Sequence, residues 1–169
     1  MVELKDKTYP AFLSFCSDDN DVAKNYFYPT LVSALKKYFG DKEVLVLGET
    51  IFRPGKIIFS EIEYVISRSD VIIFLVTIDF IKSKWCRLEL NQADLEGKPT
   101  IYLVENTVLK GQLPPCLRKI KTHTRATWTR VENDIKITPD WDVIAGQVLD
   151  FAAAVKQENR LKKFVHNSV

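Results

Sequence analysis

Glu89 is the residue in this chain whose setting most asks for a chemical explanation. In a helical reading of KWCRLEL, 84–90, it has Trp85 and Ala93 at i±4 and Cys86 and Gln92 at i±3. No local cation neutralises the carboxylate, so surface pairing does not account for it. A second group is acidic: Asp18, Asp19 and Asp21 follow the first apolar run. Such a cluster at a strand end could accept a phosphoryl group. That chemistry also needs a lone Asp ending the third strand and a Lys ending the fifth, whereas 71–76 runs into Thr77 and Ile78 before Asp79. Helix capping by Asp and Asn is the reading these residues favour. The third group is the turn Arg53-Pro54-Gly55. Pro54 fixes φ and removes a donor, and Gly55 permits a bend other residues resist, so the loop is shaped. Ile51, Phe52 and Arg53 would then form an apolar-plus-cationic tip of the kind that anchors interfaces. The other arrangement folds Ile51 and Phe52 onto the sheet edge and leaves only Arg53 exposed.

Other chemistries find no support. Cys16, Cys86 and Cys116 are far apart, and His123 and His166 are isolated, so no metal site is expected. An odd number of scattered cysteines fits reduced thiols in a cytosolic setting. Cys86, on an apolar helix face, reads as an inert buried thiol, and Trp85 beside it as core. No G-x-G-x-x-G, G-x-x-x-x-G-K-[ST] or G-x-S-x-G motif occurs, and no cofactor is expected.

The elements that must position these residues can be read from the pattern of apolar runs. Residues 11–15 form a strand closed by capping residues. A helix follows through Leu31 and Leu35, with Pro29 kinking it or restarting it as a first-turn proline and Gly40 as its stop. The run 44–47 lacks polar alternation and reads as a strand buried on both faces. After the loop 48–56, a helix carries Ile58, Ile62, Val65 and Ile66 on one face. The run 71–76 is the strongest strand, 79–96 a continuous helix stopped by Gly97, and 99–104 another strand. A Pro- and Gly-containing loop covers 106–118, and 123–128 reads as a short last strand. A final helix after Pro139 carries Trp141, Ile144 and Val148, and its polar continuation, 156–169, is expected to fray. Strands and helices alternate, which predicts an α/β, flavodoxin-like open sheet of about five parallel strands with helices on both faces. The division expected is a tail at 1–8, one domain over 9–155, and a helix extension and tail at 156–169. The loop 48–56 and the helix start near 83 then lie at the carboxyl ends of strands, where open α/β sheets bind partners and ligands.

With 169 residues and a formal net charge of +2, the chain suits one domain with a proper core. Lys and Arg alternate with Asp and Glu almost everywhere, which argues against nucleic-acid binding. The one basic cluster, Arg160, Lys162 and Lys163, reads as a solvated tail. MVELKDKTYP is not a signal peptide, and no apolar run approaches the ~20 residues that span a bilayer. The chain is therefore expected to be soluble, and it could be the intracellular part of a longer membrane protein.

Over about residues 9–155 the chain resembles a Toll/interleukin-1 receptor (TIR) domain. YPAFLSF at 9–15 looks like the first box, Tyr-Asp-Ala-Phe-Ile-Ser-Tyr, with Pro10 in place of Asp. FRPGK at 52–56 is similar to the second box, Arg-Asp-x-x-Pro-Gly, without its Asp. The third box, Phe-Trp, is matched only by Asp140-Trp141. Between the boxes, SRSDVIIFLVTIDFIKSKWCRLEL is close to the family's strand and following helix. The spacing of LPPCLRKI before RATW looks more like animal Toll-type receptors than bacterial or plant TIR proteins. The resemblance implies a signalling module on the cytosolic side that associates with other TIR domains, its own kind or an adaptor's. It would be monomeric in dilute solution and assemble when clustered. Phe52, Arg53, Pro54 and Gly55 are the expected contact residues, with Lys82, Ser83 and Lys84 beside them. Some TIR domains instead cleave NAD at the nicotinamide–ribose bond, with a Glu in the Trp-Cys-x-x-Glu helix, and Glu89 falls on that position. A carboxylate there would stabilise an oxocarbenium-like state. Toll-type domains keep the same Glu as scaffolds. In that role it would hydrogen-bond backbone near 48–56 or stay solvated.

Overall fold

Alternate residues of the central strands face opposite ways, and the chain uses both directions for core. In β1, Tyr9–Ser14, Ala11 and Leu13 face one layer while Tyr9 and Phe12 face the other. In β3, Ser69–Val76, Val71, Ile73 and Leu75 join the first layer, and Ile72, Phe74 and Val76 the second. Unbroken apolar runs of this kind require cover on both faces. The computed structural model describes residues 8–40, 45–47, 59–113, 124–132 and 134–167.

The remaining strands are β2, Leu45–Leu47, β4, Thr100–Glu105, β5, Thr124–Val131, and β6, Asp134–Thr138. Their order across the sheet is β2-β1-β3-β4-β5-β6. Five strands are parallel, as expected, with registers such as Ala11↔Leu45, Ala11↔Val71 and Ile73↔Ile101. The sixth was not anticipated. β6 pairs antiparallel with β5, Trp128 opposite Ile137, so the strand expected to be short and last is longer and second to last.

The first layer holds α1 and α5. Helix α1 is built of Asn20–Val22, a π-helical Ala23–Phe27, and Tyr28–Phe39. Tyr28 N–H bonds back to the Ala23 carbonyl, five residues earlier, immediately before Pro29 in the first turn of the last piece. The restart expected at Pro29 is therefore made by a register shift that lets the helix pass a residue without N–H. Gly40 ends α1 at φ 72°, its N–H on the Lys36 carbonyl at 3.0 Å, a left-handed position that glycine adopts without strain. Helix α5, Trp141–Asn167, buries Ile144, Ala145, Val148 and Ala152 in this layer. Asp140 caps it, accepting from Val143 N–H at 3.1 Å. Trp128 fills the layer's centre, edge-on to Phe27 at 4.9 Å, with Nε1 donating to the Leu103 carbonyl.

The second layer holds α2, Phe59–Ser67, α3, Ile78–Lys82, and α4, Lys84–Leu95. The continuous helix expected over 79–96 is two helices. Ser83 lies at φ −77°, ψ 124° and closes α3 while capping α4, where its hydroxyl accepts from Cys86 N–H at 3.4 Å. A serine favours this role because its side chain satisfies an N–H that the first helical turn leaves open. The final helix does not fray where expected but continues to Asn167.

Candidate functional site

β1 leads into α1 in one layer and β3 leads into α3 in the other, so the chain departs in opposite directions from adjacent strands. That divergence leaves a crevice at their carboxyl ends, the usual ligand position in such sheets. Here side chains from both sides cross it. Ser14, the last residue of β1, donates its hydroxyl to Glu89 Oε2 on α4. Thr77, just past β3, donates Oγ1–H to Asp19 Oδ2 at 2.5 Å while accepting from Phe80 N–H at 3.0 Å to cap α3. One hydroxyl thus orders a helix start and joins the segments after β1 and β3.

Glu89 lies on the buried face of α4 with Cys86, Leu90 and Ala93, and is 6% exposed. The expectation that it would stay solvated is corrected: it is buried, and a side chain on β1 holds it, while the backbone near 48–56 lies outside the described residues. Burial raises its carboxyl to about 7, against a smaller opposing effect of the Ser14 hydrogen bond. Burial and the nearby Glu89 charge push the Cys86 thiol far above the ordinary range, and burial also raises Cys16. Buried and held so far up, the Cys86 thiol is not a nucleophile in this setting. Trp85 is not core as expected; it is 43% exposed at the first turn of α4.

Asp19 is also buried, and its side chain makes no cap hydrogen bond, contrary to the capping reading. Its pKa is raised by burial, while Thr77 and Arg130 act to lower it. Arg130, on β5, reaches both Asp19 (3.7 Å) and Glu105 at the end of β4 (3.1 Å), with its guanidinium over the Trp128 ring. Ser14, Thr77, Glu105 and Arg130 were all missed from sequence. The readable signal for Ser14 and Thr77 was a hydroxyl residue closing an apolar run.

Phe52, Arg53, Pro54 and Gly55 lie outside the described residues, as do Cys116 and His123. Lys82 and Lys84 are exposed and flank Ser83 at the α3–α4 junction, next to Trp85. Among the described residues no group of three or more His, Cys, Asp or Glu could hold a metal, and no helix is long and apolar enough to cross a membrane.

Residues 12–137 match the family model for the TIR domain. The chain belongs to the TIR-domain family. This TIR domain is 30% identical over 133 residues to Toll-like receptor 2 of Canis lupus familiaris, a match covering 73% of this chain and 16% of the receptor. It is 33% identical over 100 residues to Toll-like receptor 13 of Mus musculus, covering 57% of this chain and 10% of that receptor. The chain therefore spans only a small part of the length of these relatives. Among solved structures, a metazoan TIR-STING receptor from C. gigas shares the fold, with TM-score 0.52 and 18% identity over 88% of this chain and 40% of that one. The TIR fold accounts for the doubly wound sheet, and the first-box serine is Ser14, the partner of Glu89.

Proposed function

We propose that this TIR domain is a signal-transduction module of innate-immune type, acting through homotypic association with receptor or adaptor TIR domains. Its parent would be a longer Toll-type receptor or related adaptor that presents the domain on the cytosolic side of a membrane. The observation that carries the reading is the buried Ser14–Glu89 contact. A carboxylate turned into the protein and held by a β1 hydroxyl fits a part that fixes α4 to the sheet. The contact surface would be the loop with Phe52, Arg53, Pro54 and Gly55, extended by Lys82, Ser83 and Lys84. Transient interfaces of this kind are small, so the domain would be monomeric when dilute and associate when tethering raises its local concentration.

The second reading, an NAD-cleaving enzyme with Glu89 as catalytic carboxylate and NAD as substrate, is favoured by one observation. A carboxyl raised to about 7 has the pKa of an acid–base catalyst near neutrality. Co-precipitation with an adaptor TIR domain, alongside NAD consumption by the domain clustered on vesicles, separates the two. Pro54→His abolishing capture while Glu89→Ala leaves it intact, with no nicotinamide released, is the expected result. Unchanged capture by Pro54→His would sink the loop interface. Nicotinamide release lost in Glu89→Ala would replace the scaffold reading with the enzymatic one.

A further inference from the structure

Helix α5 serves two environments. Its first half packs on the sheet through Ile144, Val148 and Ala152, whereas every residue from Lys156 to Asn167 is exposed. At ~1.5 Å per residue, this second half is roughly 18 Å long. Its composition is sorted by face. With ~100° between successive residues, Leu161, Phe164 and Val165 fall together with Ala154 and Gln157 on one side. That side is opposite the core-facing Val148 and Ala152. Lys156, Arg160, Lys162, Lys163 and His166 occupy the remaining arc, where Glu158 pairs with Lys162 at 3.5 Å. The three large apolar side chains are 59%, 71% and 63% exposed. Four fixed cations stand against one acid in this segment, while the whole chain carries only +2, so the molecule's surplus positive charge is concentrated here.

We infer that the second half of α5 lies on an anionic lipid surface, its Leu161–Phe164–Val165 face in the headgroup boundary and its cations on the acidic headgroups. An apolar stripe bordered by Lys and Arg on a helix too polar to span a bilayer has the composition of an interfacial helix. Each basic residue near such a surface adds attraction. A second copy of the chain fits the face less well. Three side chains fall well short of the ~800 Å² per partner of a standard interface.

The test is co-sedimentation of the 169-residue chain with vesicles of phosphatidylcholine alone and of phosphatidylcholine mixed with phosphatidylserine. Binding is expected only with phosphatidylserine, and raised salt should release it. The pair Lys162→Ala and Lys163→Ala should weaken binding roughly 30-fold. The pair Leu161→Glu and Phe164→Glu should abolish it. Both pairs should keep the wild-type urea midpoint, since the side chains are exposed. No sedimentation, equal sedimentation on neutral vesicles, or indifference to either pair would overturn the inference. So would a lipid-independent dimer broken by Leu161→Glu and Phe164→Glu, which would assign the face to a second copy. The vesicle outcomes leave the adaptor-capture test of the loop untouched, so the two readings fail separately.

Discussion

Two acids are buried at the same edge of the sheet, and they are handled differently. Asp19 has a hydroxyl from Thr77 and a guanidinium from Arg130, which also serves Glu105. Among the described residues Glu89 has the Ser14 hydroxyl and apolar neighbours such as Cys86 and Leu90 on its helix face. Burial raises both, and among the described residues a cation, Arg130, acts against the shift at Asp19 but none does at Glu89. At Asp19 the Thr77 hydroxyl and then the Arg130 guanidinium oppose burial, which the neighbouring Asp79 and Glu105 charges reinforce. A neutral hydroxyl alone leaves the proton-bound form favoured up to neutrality. The crevice between β1 and β3 is thus closed on one side by an ionic network and on the other by a protonation-dependent contact.

The largest expected effect tests the Glu89 half. Below pH 4.5 its carboxyl is protonated whether the chain is folded or unfolded. Between 4.5 and about 7 the unfolded chain releases the proton and the folded one keeps it, so stability falls as pH rises through this window. The loss is about 3 kcal/mol and is complete above pH 7. Urea melts at pH 5, 6.5 and 8 should show it in wild type and not in Glu89→Gln; parallel profiles would break the comparison. Thr77→Val acts on the other half, removing the α3 cap and a hydrogen bond to Asp19 together, and should cost about 2 kcal/mol by urea midpoint. An unchanged midpoint would mean Asp19 does not depend on the hydroxyl. Arg130→Met keeps apolar length over Trp128 while deleting the cation. Because Arg130 is half-exposed and screened, the loss should be only about 1 kcal/mol and should shrink as salt is added. Equal stability of the two chains at low salt would show that the guanidinium does not sustain Asp19.

How much of this could be read in advance varied with the physical signal. The parallel core was legible because runs such as VIIFLV require burial on both faces. Strand β6 was missed although Ile135 and Ile137 alternate with Asp134 and Lys136; a half-exposed edge strand has a weak apolar signal. Ser83 divided a helix that periodicity alone joined, because a cap bond is local and does not alter the apolar spacing around it. The site was only half visible. Glu89 stood out as an unpaired acid, but its partner lies on β1, and no spacing rule links a strand end to a helix so distant in sequence. Asp19 was mistaken for a cap because Asp at a helix start usually caps, and Thr77 offered a tertiary donor instead.

The sheet's registers also set an order of assembly. β1 lies inside the sheet, yet its partners β2 and β3 are both remote in sequence, with Ala11 opposite Leu45 and Val71. Parallel pairs like these must wait for long loops to close, which makes them slow. β5 and β6 are joined by a turn holding Glu132 at φ 51°, and they pair Val131 with Asp134. A local hairpin forms in roughly 1–10 μs. The half-exposed strand β6 is therefore in place early, and Ser14 meets Glu89 only when the slow pairing of β1 with β3 is complete.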